Sequence, residues 1–88
     1  MNTVKGSIVK AVAGREKNGF FVVLDCDSVF AYIADGKRRK VEKPKKKKLK
    51  HLKNTSVRSE YAASKLSQGL KVTNAELRRE LEEFKDTL

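Results

Sequence analysis

The sequence predicts a mainly β fold, a small curled sheet or barrel followed by one or two C-terminal α-helices. Three observations predict it. β-Branched and aromatic residues gather into short runs before Ala34, each bounded by Gly, Asp or Asn. Helix caps leading into longer helical segments stand at Ser59 and Thr73, in the last third of the chain. The chain's 88 residues hold one hydrophobic core and leave no room for a second.

Taken in order, residues 7–13 carry Ile8, Val9 and Val12, with Lys10 as the one charge, and end at Gly14, which reads as a strand. The charged loop Arg15-Glu16-Lys17-Asn18-Gly19 leads to Phe20-Phe21-Val22-Val23-Leu24, a buried strand. Asp25-Cys26-Asp27-Ser28 supplies turn chemistry, and residues 29–34 form a third strand closed by the hairpin dipeptide Asp35-Gly36. Every residue of the second strand is apolar, so this meander must curl or gain strands until both of its faces are covered. Residues 37–43 are expected to pair back onto the third strand with Val41 inward, and Pro44 to end that pairing. Lys45 to Lys48 reads as a run of like charges that cannot pack. Leu49 and Leu52 would anchor one helical turn carrying Lys50, His51 and Lys53 outward, and Val57 would add an inward residue to a last short strand. A barrel over residues 1–58, including the basic stretch, is therefore expected to precede a helical extension over 59–88. In the extension, Ser59 caps a helix that stops at Gly69. Thr73-Asn74-Ala75-Glu76 matches the capping box, ahead of an apolar stripe of Leu77, Leu81 and Phe84. Arg78 with Glu82 and Arg79 with Glu83 are spaced for i,i+4 ion pairs.

Charge is distributed as unevenly as hydrophobicity. Lys and Arg number 21 against 11 Asp and Glu, a formal balance of +10. Residues 1–36 hold four cations and four anions, and residues 54–88 six of each. The whole excess therefore lies in residues 37–53, a strap of eleven cations with Glu42 as its only acid. One cysteine, Cys26, rules out an intramolecular disulfide and suits a reducing compartment. Lys5, Gly6 and Ser7 interrupt any apolar signal stretch at the start. No uncharged run exceeds seven residues, where a membrane-spanning helix needs about 20. A cytoplasmic protein without membrane contact is expected.

No constellation points to catalysis, so no enzymatic activity, cofactor, metal or small-molecule substrate is expected. His51 is the one histidine and stands among cations. Cys26 lies between two carboxylates, which raise a thiol's pKa and blunt it as a nucleophile. A phosphate-binding Gly-rich loop is missing too, since neither Gly14 nor Gly19 stands near a GK[ST] sequence. The strap points elsewhere. Fully extended, its seventeen residues reach about 55 Å, a spacing that tracks phosphates. A charge run can be no more than a solvated face, but this one is internal, lies between ordered segments and is unbalanced by acids. Such repulsion costs stability unless a polyanion relieves it. Nine of its cations are Lys and two are Arg, which favours backbone recognition over base reading.

Residues 4–24, with Gly6 opening a strand and Gly14 central among alternating apolar and polar residues, resemble the KOW motif. Continued through Ile33-Ala34-Asp35-Gly36-Lys37-Arg38-Arg39-Lys40 and Lys48-Leu49-Lys50-His51-Leu52, the pattern is similar to small bacterial KOW-domain RNA-binding proteins. Those are related to the fourteen-e class of archaeal and eukaryotic large-subunit ribosomal proteins. The resemblance covers about the first 57 residues, and the capped segment from Thr73 to Phe84 looks like the tail of members of this group. It implies an SH3-like barrel whose first hairpin loop and basic face contact ribosomal or other structured RNA. In that loop Gly14 would let backbone approach RNA, and Arg15 and Lys17 would meet phosphate, although with four residues between Gly14 and Gly19 the loop is compact. Lys37, Arg38, Arg39, Lys40, Lys43, Lys45, Lys46, Lys47, Lys48, Lys50, His51 and Lys53 would form the main footprint.

The expected function is non-enzymatic binding of RNA, with 23S-type rRNA of the large ribosomal subunit as the partner. The alternative makes the last helix the working surface, Leu77, Leu81 and Phe84 docking a protein while the strap only localises the complex to RNA. Phe20, Phe21, Phe30 and Tyr32 belong to the core more readily than to base stacking, Tyr32 least so.

Overall fold

The computed structural model describes residues 3–84. Its strands are β1 (Ser7–Ala11), β2 (Phe20–Cys26), β3 (Phe30–Ala34), β4 (Lys45–Lys48) and β5 (Leu52–Arg58), with a 3₁₀ turn, Leu49–His51, between the last two. Helices α1 (Glu60–Ser67) and α2 (Asn74–Glu80) follow, and a second 3₁₀ turn spans Glu82–Phe84. All five strands join one antiparallel sheet in the order β4-β3-β2-β1-β5, which is compatible with a small barrel followed by helices. The register shifts between Ile8 and Val9 and between Val23 and Asp25, irregularities of the kind that bend a sheet.

The curl answers the demand that β2 makes. Side chains of a strand alternate between faces, and Phe21 and Val23 join Val9, Ala11, Ala31 and Ile33 in one core cluster that Leu49 and Leu52 help to close. Val22 points the other way, in register with Ile8 on β1 and Ala34 on β3. That row is covered by Ala62 of α1, by Val72, and by Leu77 and Leu81. The helices thus share the core of the sheet. The step at residue 58 marks a change of secondary structure, while packing runs across it.

Both helices start where the capping residues predict. Ser59 Oγ accepts from Ala62 N–H, and Thr73 and Glu76 form the reciprocal capping box. Glu76 also joins the helices to each other. It accepts from Tyr61 Oη and from Lys65 Nζ (2.9 Å), and the Tyr61 hydroxyl, the Thr73 N–H and Lys65 together hold its carboxyl at about pKa 2. The second helix ends sooner than expected, at Glu80, and Glu82 and Glu83 fall in the 3₁₀ turn beyond it. Arg79 lies 3.7 Å from Glu80, and Arg78 Nη1 donates to the Gly36 carbonyl at 2.7 Å.

Three expectations need correction. Residues 37–43 are a loop, and the strand that pairs with β3 is Lys45–Lys48, beyond Pro44, with Phe30 opposite Lys48 and Ile33 opposite Lys45. The Asp35 carboxylate accepts from the N–H groups of Lys37 and Arg39, which widens the Asp-Gly turn into a loop. Val41 still packs inward, but against the helix-side cluster. Four lysines can form an edge strand because pairing uses only backbone: Lys46 and Lys48 project to solvent, while Lys45 is half-buried and Lys47 buried on the other face. Val57 is 43% exposed, since the irregularity at Ile8 and Val9 and the positive φ of Ser56 (69°) reset the alternation along β5. Finally, Leu77 (0% exposed) and Leu81 (7%) lie in the chain's own core and Phe84 packs against it, its ring 5.6 Å from that of Phe20. The stripe that was to dock a partner is occupied by the sheet.

Candidate nucleic-acid interface

The loop between β1 and β2 folds on itself. Lys17 N–H donates to Gly14, Gly19 N–H to Glu16, and Asn18 N–H to Ala11. Gly14 (φ 80°) and Asn18 (φ 73°) take left-handed conformations, which glycine adopts at no steric cost and asparagine tolerates. This winding leaves Arg15 and Lys17 exposed and turns Glu16 inward, 4% exposed. There its carboxylate accepts from Arg39 through Nε (3.1 Å) and Nη2, and from Lys47 Nζ at 3.0 Å. Burial by itself would raise the pKa of Glu16, but the hydrogen bonds and charges of Arg39 and Lys47 reverse that and hold it at about 2. The bare Gly14 serves this cluster too, because a Cβ there would run into the Lys47 ammonium.

Two members of the expected footprint therefore have structural work. Lys47 is 8% exposed and Arg39 is half-buried. Among the described residues, the strap's nine other cations make no ion pair. Lys37, Arg38, Lys40 and Lys43 project from the loop after β3, Lys46 and Lys48 from the edge strand, and Lys50 and Lys53 from the turn and β5, all exposed. Lys45 and His51 are half-buried. Lys46 Nζ sits 4.3 Å from the centre of the Phe30 ring, a cation–π contact that orients it. Of the aromatics, Phe21 is fully buried, Phe20 and Phe30 are half-buried, and Tyr32 is 36% exposed.

The start of α2 holds the basic loop in place. Asn74 Oδ1 accepts from Val41 N–H at 2.8 Å, its Nδ2 donates to Glu42 at 2.9 Å, and Arg78 reaches the Gly36 carbonyl. Gly36 (φ 79°) lies so close to the helix that a Cβ would strike the Asn74 carbonyl. The helix whose stripe looked like a docking surface is instead the support of the strap.

Sequence reasoning passed over Glu16, Asn74 and Arg78. Glu16 left one trace, an acid flanked by two cations in an otherwise basic loop. Asn74 and Arg78 left none, because their partners lie 33 and 42 positions away. Cys26 is half-buried, and burial first, then the Asp25 and Asp27 charges, push its thiol up. Among the described residues no group of three or more His, Cys, Asp or Glu side chains is placed to hold a metal ion, and no helix is long and apolar enough to cross a membrane. No protein-family model and no curated protein matches the chain.

Proposed function

We propose that this protein binds structured RNA without acting on it chemically, and that it works in the cytoplasm on or near the large ribosomal subunit, with 23S-type rRNA as its target. The observation that carries the reading is the partition of the strap: Arg39 and Lys47 are paired with Glu16 inside the fold, and eight cations are exposed without an ion pair among the described residues. A surface of that kind gains most from a polyanion. Each phosphate it neutralises releases condensed counterions. The exposed lysines lie on an edge strand, a turn and a pinned loop, so their spacing is set before binding, which lowers the entropic cost of ordering them. Point charges on flexible stems follow phosphates rather than base edges, and selectivity then comes from the shape of the folded RNA. The resemblance of residues 4–24 and of the basic segments to KOW-domain ribosomal proteins supports the choice of RNA.

Co-sedimentation with ribosomes at low and high salt, followed by crosslinking to locate the RNA segment, tests the reading. The protein should travel with the large subunit at low salt and leave it at high salt. Failure to co-sediment at low salt, or sedimentation that high salt leaves unchanged, overturns it.

A further inference from the structure

An open cleft of about 580 Å³ lies where the β1–β2 loop, the loop after β3 and the C-terminal segment meet. Lys17, Lys37, Arg38 and Arg78 stand around it with the carboxylates of Asp35 and Glu82, and Leu81 and Phe20, whose ring also meets Phe84 and Lys10 Nζ, contribute its apolar lining. Two of the cations are held there. Arg78 is fixed by its bond to the Gly36 carbonyl, which engages only part of a guanidinium with five N–H donors. Arg38 lies over the Phe21 ring, 5.9 Å from its centre, and the missing side chain of Gly19 makes room for its guanidinium. Asp35, also on the rim, is already committed to the N–H groups of Lys37 and Arg39. The volume falls within the range of small-ligand sites, roughly 300 to 1,000 Å³. Four cations against two carboxylates, beside an aromatic ring, suit a phosphate joined to a flat, weakly polar group.

We infer that this cleft receives one unpaired nucleotide of the bound RNA, its phosphate between Arg78, Arg38 and Lys37 and its base against Phe20. The inference rests on the RNA-binding reading and adds selectivity to it: the strap follows any phosphate backbone, whereas the cleft distinguishes an RNA that can extrude a base. A bulged or damaged stem yields such a base at lower cost than a continuous duplex does.

Two RNA hairpins of the same stem sequence, one continuous and one with a single bulged adenosine, separate the two claims. The bulged hairpin should bind about tenfold more tightly, the scale of one base stacked on an aromatic side chain. Phe20→Leu, which leaves every cation and the Arg78–Gly36 bond in place, should remove that preference while leaving the continuous hairpin's affinity within about twofold, and Arg78→Gln should weaken both hairpins, the bulged one more. Equal affinity for the two hairpins, or an undiminished preference in Phe20→Leu, overturns the cleft assignment and leaves RNA binding standing. If neither hairpin binds at low salt, the RNA reading falls and the cleft assignment with it. Adenosine 5′-monophosphate in excess should perturb the amide resonances of Gly19 and Phe20 less than the bulged hairpin does. An equal response would assign the cleft to free nucleotide and overturn its assignment to RNA.

Discussion

Glu16 is the residue on which the basic surface turns. Removing one partner of a buried ion pair leaves the others uncompensated, so Glu16→Ala should cost about 3 kcal/mol in urea unfolding. The same side chain sets an acid response. Its folded pKa of about 2 lies below the ordinary 4.5, so its contribution is fully present above about pH 4.5 and is lost as pH falls toward 2. That loss should amount to roughly 3 kcal/mol and be absent from Glu16→Gln, measured as urea midpoints across the range. Lys46 and Lys47 are adjacent in sequence and opposite in role. Lys47→Gln should lower stability by about 2 kcal/mol or more through the buried pairing it removes from Glu16. Lys46→Gln should leave stability within about 0.5 kcal/mol and weaken RNA binding, because it lies on the solvent face. A run of identical lysines hid this difference, since nothing in Lys45 to Lys48 marks which ammonium meets a carboxylate 31 positions upstream.

At the scale of elements, local signals were legible and long-range pairings were not. The strands around Ile8, Val22 and Ile33 followed from β-branched runs, and both helix starts from Ser59 and Thr73, because each signal lies within a few residues of the structure it specifies. The fourth strand was misplaced because a hairpin dipeptide outweighed a lysine run, when in the fold Asp35 spends its carboxylate on a wider loop. The role of α2 was equally hidden. Leu77, Leu81 and Phe84 gave the apolar stripe but not the surface it covers. Leu77→Ala should therefore destabilise the whole domain by about 3 kcal/mol, seen as a lower urea midpoint and not as loss of a protein partner. Asn74→Ala removes two of the three bonds that pin the loop, at a cost of about 1 kcal/mol. Its RNA affinity should drop severalfold while the salt slope stays unchanged, because the lysines remain but are no longer held in register.

For the molecule as a whole, the charge pattern visible in the sequence survives folding with one change. The neutral flanks build most of the sheet and its helical cover, and the strap supplies a loop, the edge strand β4 and the start of β5, with Arg39 and Lys47 drawn inward to Glu16. Counting cations gives the size of the excess, and only packing shows how much of it faces outward. The most direct measurement is the affinity for 23S-type rRNA as a function of salt, for the native chain and for a variant with Lys46, Lys48, Lys50 and Lys53 all changed to Gln. Since each phosphate neutralised contributes about 0.7 to 0.9 to the log–log slope, the native chain should show a slope steeper than about −3 and the variant a clearly shallower one at unchanged stability. A shallow slope in the native chain, or the same slope and affinity in both proteins, would contradict RNA binding through the exposed strap.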